Sequence, residues 1–290
     1  MKLKHLYNQI VKFGKDRDPR GRGGVKSFED TAVLYGGLNT DIKKIMVGID
    51  IDAGELLLAD RIRNSDGLDL VISHHPQGAA YAHFYQVMQL QVNMLAGAGI
   101  DKKVAQELIN ERMFEVEKRV ISQNHTRSSD VARLLDLPFM CVHTPADNHV
   151  SHFLTKLFDK EKPKRLEDVL DILNAIPEYK YAARDFAGPR IILGNPRRPV
   201  GKIFMEMTGG TEGHKDVYDK MRKAGIRTLV SMHLSEEHFK KVKDANLNVV
   251  IAGHISSDTL GLNLILDRVE KEEKLEIISC SGFRRIRRNK

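Results

Sequence analysis

The sequence of 290 residues contains only two cysteines and no long apolar run, and these absences exclude several classes of protein. No segment approaches the ~18 consecutive apolar residues that a membrane-spanning helix needs. Residues 1–14 carry charges throughout and lack the apolar core of a signal peptide, so we expect a cytoplasmic protein. Cys141 and Cys280 are too few for a disulfide framework or a cysteine-based zinc site.

The formal charge of +7 is concentrated in two short basic stretches. The tail Arg284–Lys290 carries five positive charges and no acid, and the segment Lys15–Lys26 has a net charge of +3. Without these two stretches, the rest of the chain has a formal charge of −1. Such a body offers no broad basic surface for a phosphate backbone, so we expect nucleic-acid binding to be weak or non-specific at most. We expect the tail itself to be a solvated chain terminus.

Short apolar segments rich in β-forming residues alternate with helical patterns, which is typical of an α/β protein. The length and the 41% hydrophobic content favour two α/β lobes, which we place at residues 1–147 and 148–290, with the last strand free to return to the first lobe. The predicted strands are Lys44–Asp50, Leu68–Ser73, Phe139–His143, Arg190–Gly194, Lys202–Met207, Thr228–Met232, Asn248–Ala252 and Leu275–Cys280.

Helices are predicted between these strands. Asp101 is the expected N-cap of a helix that ends near Ile121, because apolar residues recur there at intervals of three or four. A second helix is predicted over Leu166–Ile176, again from one apolar face. By contrast, the glycine-rich segment Gly14–Gly24 is predicted to be an irregular loop, and Glu178–Pro189 a connection between elements.

Histidines and carboxylates follow three of the predicted strands. The three motifs are Ser73-His74-His75-Pro76, His143-Thr144-Pro145-Ala146-Asp147 and Gly253-His254-Ile255-Ser256-Ser257-Asp258. In the last two, the histidine and the carboxylate are four positions apart and share one face if the chain is helical there. Open α/β sheets bind ligands at such strand ends.

Imidazole and carboxylate side chains together suit zinc, manganese or ferrous iron, and a shared carboxylate bridges two ions about 3.5–4 Å apart. Pro76 restricts His75 to an extended conformation, so the imidazoles of His74 and His75 point in different directions and suit two ions. Any one motif is also typical of a helix cap beside a core or surface histidine. Three such motifs at three strand ends favour a metal site.

In this order, the motifs resemble those of the Nif-three-like family, also known as GTP cyclohydrolase I type-two homologues. The resemblance includes the three motifs, the segment Lys44–Asp50 and the loop Gly209-Gly210-Thr211. It implies two α/β lobes of the Nif-three-like fold with a dinuclear metal site in the cleft between them, and a homo-hexamer. The metal ligands that it implies are His74, His75, Asp147, His254 and Asp258, with His143 close by.

The sequence departs from the family pattern at three places. Asp258 stands where the family usually has glutamate, and its side chain is one methylene shorter. Asp30–Gly37 replaces an aromatic-Asp-Asn segment. Ser231-Met232-His233 stands where many members carry a Gly-acid pair after a threonine, so His233 is either an additional nitrogen near the site or a surface histidine at a strand end.

Three functions suit these residues. The first is a metal-dependent hydrolase that holds two divalent ions (Fe, Zn or Mn), acts on a small phosphate- or nucleotide-like substrate, and uses His143 or His233 to move protons. The second is a protein that stores, delivers or senses metal, and the third is an interaction or scaffold protein. No implied ligand lies in the basic tail, so removal of Arg284–Lys290 is expected to leave metal binding intact.

Overall fold

The computed structural model describes residues 1–21 and 24–288, which form two compact units. Unit 1 comprises Met1–Val87, Glu115–His149 and the described residues from Asp258 onward, and unit 2 comprises Met88–Phe114 and Val150–Ser257. The sequence placed a boundary after residue 147 and left the last strand free to return to the first lobe. Residues 88–114 belong to unit 2, and the segment from residue 258, which includes the last strand, belongs to unit 1. Part of the Lys15–Lys26 segment and the last two residues of the tail lie outside the described residues.

The secondary-structure elements alternate along the chain. The helices are α1 (Leu3–Lys15), α2 (Ala53–Asp66), α3 (Gly78–His83), α4 (Gln89–Gly97), α5 (Lys102–Val120), α6 (Arg127–Leu134), α7 (Thr144–Glu161), α8 (Leu166–Asn174), α9 (Pro177–Arg184), α10 (Tyr218–Lys223), α11 (Glu236–Asp244) and α12 (His254–Val269). The strands are β1 (Ala32–Tyr35), β2 (Lys44–Gly48), β3 (Leu70–Ser73), β4 (Phe139–Cys141), β5 (Arg190–Leu193), β6 (Lys202–Glu206), β7 (Ile226–Ser231), β8 (Asn248–Ile251) and β9 (Glu276–Ser279).

Unit 1 is built on a five-stranded sheet in the order β1-β4-β3-β2-β9. All its neighbouring strands are parallel except β1, which pairs antiparallel with β4 at one edge. Because successive side chains alternate between the faces of a strand, β3 sends Leu70 and Ile72 into a core with α1 and α12, and Val71 into a core with α2 and α6. Both faces of the sheet are therefore covered, as a parallel sheet requires.

Unit 2 contains a four-stranded sheet in the order β5-β8-β7-β6 that repeats this topology. Its edge strand β5 is antiparallel to β8, and both edge pairs, β1/β4 and β5/β8, have a register irregularity before the last paired residue. The turns after β3 and β7 are alike. Each strand ends in a serine, Ser73 or Ser231, whose Oγ donates to the carbonyl two residues later at 2.8 Å. His75 and His233 therefore occupy equivalent places in the two sheets.

The eight strands expected from the sequence are confirmed, each within about two residues of its bounds. The four-residue strand β1 was not predicted, because it is a half-buried edge strand without apolar alternation. The predicted connection Glu178–Pro189 was wrong in its first half, which forms α9. Pro177 occupies the first turn of that helix, where a missing N–H costs nothing, and the fully buried Tyr179 anchors it.

The expectation of a solvated basic tail was wrong for Arg285, whereas Arg284 and Arg287 are exposed. Arg285 donates to Asp267 at 2.6 Å and to Glu270 at 2.5 Å, and Arg287 also contacts Glu270. Two of the basic side chains are thus paired with acids, Asp267 in α12 and Glu270 directly after it.

Within the part of the chain that the structure describes, no helix is both long and apolar enough to cross a bilayer.

The predicted N-cap of α5 yields a stability test. Asp101 Oδ1 accepts from the backbone N–H groups of Lys103 and Val104 at 3.0 and 3.1 Å. We expect Asp101→Ala to lower the free energy of unfolding by about 1 kcal/mol, because two N-terminal N–H groups lose their acceptor. Asp101→Asn retains a capping oxygen and is the matched control. Equal urea midpoints for the alanine and asparagine variants would contradict this capping role.

Candidate metal centre

The candidate site of unit 1 lies at the carboxyl ends of β2, β3 and β4. These strands are parallel neighbours, so the residues that follow them meet at one edge of the sheet. His74 and His75 come directly after β3, and the backbone N–H of His74 donates to Gly48 at the end of β2 at 2.9 Å. His143 follows β4 and precedes α7, which begins at Thr144 and carries Asp147 in its first turn.

The side chains of this site form an alternating series of imidazoles and carboxylates. Asp258 reaches His75 Nε2 with Oδ2 and His74 Nε2 with Oδ1, both at 3.4 Å. Asp147 reaches His74 Nε2 with Oδ1 at 3.5 Å and His143 Nε2 with Oδ2 at 3.7 Å. Each carboxylate therefore faces two imidazoles, and His74 is common to both groups.

The three imidazoles are oriented by contacts on their other ring nitrogen. The Nδ1 partners are Val142 O for His74 at 3.0 Å, Asp50 Oδ1 for His75 at 2.7 Å and Asp30 Oδ2 for His143 at 2.7 Å. A carbonyl oxygen only accepts, so Nδ1 of His74 carries a proton, and Nε2, which faces the carboxylates, is the nitrogen that could bind a metal ion. Metal-binding histidines are usually held in this way, through the nitrogen that does not bind the metal.

These residues fit a divalent metal ion. The side chains of His74, Asp147 and Asp258 are at most 6% exposed, and among the described residues His74 Nε2 and Asp147 Oδ1 are buried without a hydrogen-bond partner. Such atoms are costly to bury unless something binds them. Two donors about 2.1 Å from one tetrahedral ion lie roughly 3.4 Å apart, which matches the contacts of His74 with both carboxylates.

Solved structures with the same architecture identify the fold. A NIF3 superfamily protein from Sphaerobacter thermophilus is 29% identical, covers 95% of this chain and 98% of its own, and superposes with a TM-score of 0.81. The chain has the fold of the NIF3 superfamily. Reduced HcgD from Methanocaldococcus jannaschii (18% identity, 96% and 97% coverage, TM-score 0.56) and a Bacillus cereus protein related to NIF3 (11%, 97% and 96%, 0.50) share this fold.

The family resemblance and the fold class expected from the sequence are thereby confirmed. No protein-family model and no curated protein matches the sequence. The likeness to NIF3 superfamily proteins therefore depends on three-dimensional similarity together with the motifs at the strand ends. The candidate ligand groups lie in the interior of unit 1 and are compatible with metal binding.

The remaining predicted site residues, His254 and His233, belong to unit 2. His254 is the first residue of α12, and its imidazole centroid lies 4.8 Å from that of His233. Nδ1 of His233 lies 3.7 Å from Oε1 of Glu212, and His233 is about half exposed. The helical turn expected after each histidine is confirmed, because α7 contains Asp147 and α12 contains Asp258.

Two further residues of the site were not identified from the sequence. Asp50 and Asp30 hold Nδ1 of His75 and His143, and Asp30 is fully buried. Asp30 also accepts from the hydroxyl and the backbone N–H of Thr144, so it fixes the start of α7. The signal for Asp50 was its place at the end of the predicted strand Lys44–Asp50, which points to the same edge. Asp30 had no comparable signal, because it lies in the segment that departs from the family pattern.

Burial and close contacts shift the titration of the site. Burial raises the pKa of Asp147 to about 6. Burial alone lowers the pKa of His75, but hydrogen bonds with Asp258 and Asp50 raise it to about 10. His143 shows the same competition between burial and the charges of Asp147 and Asp30, and its pKa is raised. The metal-free site therefore retains protons, which a bound ion has to displace.

The pKa of Asp147 predicts a pH dependence for the metal-free protein. A carboxyl whose folded-state pKa lies above its ordinary value of 3.8 stabilises the fold below that value, and the contribution is lost as the pH rises through about 6. We expect the wild type to lose up to about 3 kcal/mol relative to Asp147→Asn between roughly pH 4 and 7. Urea unfolding in the presence of a chelator measures this difference, and parallel stability curves for the two proteins would contradict it.

Proposed function

We propose that this Nif3-like protein binds two divalent metal ions and uses them to hydrolyse a small phosphate- or nucleotide-like substrate. The observation that carries the proposal is the alternation of imidazoles with the buried carboxylates of Asp147 and Asp258. Two carboxylates that each face two histidines suit a pair of ions better than a single ion, because each carboxylate offers one oxygen to either side.

The proposed ligands are His74, His75, Asp147, His254 and Asp258. The four proposed ligands in unit 1 belong to two groups of donor atoms, each within 4.8 Å: His74 and Asp147 together with His143, and His74 together with His75 and Asp258. His254 is assigned because it lies one helical turn before Asp258 on α12, and residues four apart lie on the same face of a helix. Zn, Fe and Mn all suit this donor set of imidazole nitrogen and carboxylate oxygen.

A bound ion pair supplies Lewis acidity and lowers the pKa of water towards neutrality. Proton transfer is assigned to His143 and His233. Asp30 fixes the ring of His143 through Nδ1, so that its Nε2 faces Asp147 and exchanges protons there. Glu212 lies beside Nδ1 of His233 and suits the same orienting role in unit 2.

Metal storage or delivery is the second candidate function. The burial of His74, Asp147 and Asp258 favours it over catalysis, because a deeply buried ion offers little room to a substrate. A scaffold function based on the basic tail gains less support, since Arg285 and Arg287 are paired with acids. The homo-hexamer and the cytoplasmic location stay predictions.

Metal content tests the ligand assignment. Protein prepared without a chelating tag is expected to carry about two divalent ions per chain, as a dinuclear site requires. His75→Ala, Asp147→Ala and His254→Ala should each lower that content, because each removes a ligand atom. His83→Ala is the matched control, since His83 is an exposed histidine of α3 in unit 1. Mass-spectrometric metal analysis that gives wild-type content for His75→Ala and Asp147→Ala would overturn the site.

Catalysis is tested separately from binding. We expect metal-loaded protein to hydrolyse members of a panel of nucleotides and aryl phosphodiesters, and His143→Gln to lower turnover by about 10²- to 10⁴-fold while keeping its metal. Loss of metal in His143→Gln would instead make His143 a ligand. A loaded protein that is inactive against the whole panel, and that yields its ions to a competing chelator, would favour storage or delivery.

A further inference from the structure

Residues 280–288, called the C-terminal strap here, are attached at one end to the strand that leads to Asp50. The backbone N–H of Cys280 donates to Val47 of β2 at 2.9 Å, and the N–H of Ile49 donates to Ser281 at 2.9 Å. The approach is close, because a Cβ atom at Gly48 would lie 3.1 Å from Cβ of Ser281. The first strap residues therefore fix the backbone beside Asp50, which holds Nδ1 of His75.

The strap then follows α12, the helix that carries Asp258. The side chain of Phe283 is buried in the same apolar core as Leu262 and Leu266 of that helix. Asn263 of α12 donates to Arg284 O at 3.0 Å and accepts from the N–H of Ile286 at 3.0 Å. The strap is thus joined to α12 by both apolar packing and backbone hydrogen bonds.

Arg285 is the strongest of these attachments. One guanidinium nitrogen contacts Asp267 at 2.6 Å and Glu270 at 2.5 Å, and another donates to Asn263 at 3.1 Å. Its side chain is 6% exposed, and those of Asp267 and Glu270 are 8% and 11% exposed. Solvent screens such a group weakly, and only a planar guanidinium reaches several acceptors at once, so lysine is a poor replacement.

The position of α12 matters because Asp258 has a short side chain. Its carboxylate is separated from the helix backbone by one methylene, yet it lies 3.4 Å from both His74 and His75. A small displacement of the helix therefore moves the carboxylate directly, since there is no flexible stem to compensate. The same strap fixes the backbone beside Asp50 on the other side of His75.

We propose that the C-terminal strap sets the spacing between α12 and the end of β2, and that Arg285 is the positioning residue through which it keeps Asp258 within reach of the metal ions. The inference rests on the metal binding of the proposed function. It contradicts the expectation that the basic tail can be removed without effect on the metals. The tail is a structural part of the site rather than a solvated terminus.

The test uses the full chain and measures Zn²⁺ affinity by competition with a chromophoric chelator. We expect Arg285→Lys to weaken Zn²⁺ binding by about 10- to 100-fold, as changes to groups that orient ligands commonly do. Arg287→Gln is the matched control, because Arg287 is half exposed and contacts only the edge of the cluster at Glu270. It should bind Zn²⁺ like the wild type.

A rescue variant separates positioning from general destabilisation. Asp258→Glu adds one methylene, so in the Arg285→Lys background it should restore most of the lost affinity, while a merely destabilised protein gains nothing from it. If Arg285→Lys does not fold, Arg285→Met combined with Asp267→Asn and Glu270→Gln removes the Arg285 contacts without leaving a buried unpaired charge, because Arg287, which loses its partner Glu270, is half exposed. The same rescue applies.

The outcomes distinguish the two proposals. Wild-type protein that binds no Zn²⁺ would overturn the proposed metal site and, with it, this inference. Zn²⁺ binding by the wild type together with unchanged affinity in the folded Arg285 variants would overturn the strap alone. A loss of affinity that Asp258→Glu does not restore would also overturn it, because the loss would then not arise from the reach of residue 258.

Discussion

The burial of two carboxylates among three imidazoles is the constraint on which unit 1 depends. Asp147 and Asp258 are nearly inaccessible, and an isolated charge in such a place is costly. Burial is why the pKa of Asp147 rises to about 6, and the neighbouring carboxylates raise the pKa of His75 to about 10. Divalent ions would offset the same cost of burial. Their binding would therefore release protons from the site.

The surrounding structure fixes the positions of these charged groups relative to one another. Parallel strands bring three chain segments to one edge, and the Nδ1 partners Val142, Asp50 and Asp30 turn the rings towards the carboxylates. A histidine that rotated freely would leave its carboxylate unpaired for part of the time. The outer hydrogen bonds are thus as necessary as the side chains that face the site.

The two sheets show how one topology supports different chemistry. In unit 1 the turn after β3 is Ser73-His74-His75, whereas in unit 2 the equivalent turn after β7 is Ser231-Met232-His233. The second residue of the turn is therefore a histidine in unit 1 and a methionine in unit 2. Unit 2 instead places Glu206 at the end of β6, where burial raises its pKa to about 7. The backbone of the turn is the same in both sheets, and the two turns differ in the side chains that they offer to a ligand.

The sequence by itself determined the α/β class, the eight main strands and the motifs of the site. Local properties of the chain can be predicted from short stretches of sequence. They include the strand periodicity, the cap at Asp101 and the i, i+4 spacing of His143 and Asp147. The sequence also supported the family resemblance. The boundary that it placed after residue 147 does not follow the two compact units. These features required no knowledge of which distant segments meet.

The tertiary structure decided what depends on distant contacts. Asp30 and His143 are 113 residues apart, so no local pattern links them, and β1 is a half-buried edge strand without the apolar alternation that marks a strand. The basic tail has the composition of a solvated terminus. Arg285 packs because Asp267 in α12 and Glu270 directly after that helix lie next to it, and these residues meet only after the chain has folded.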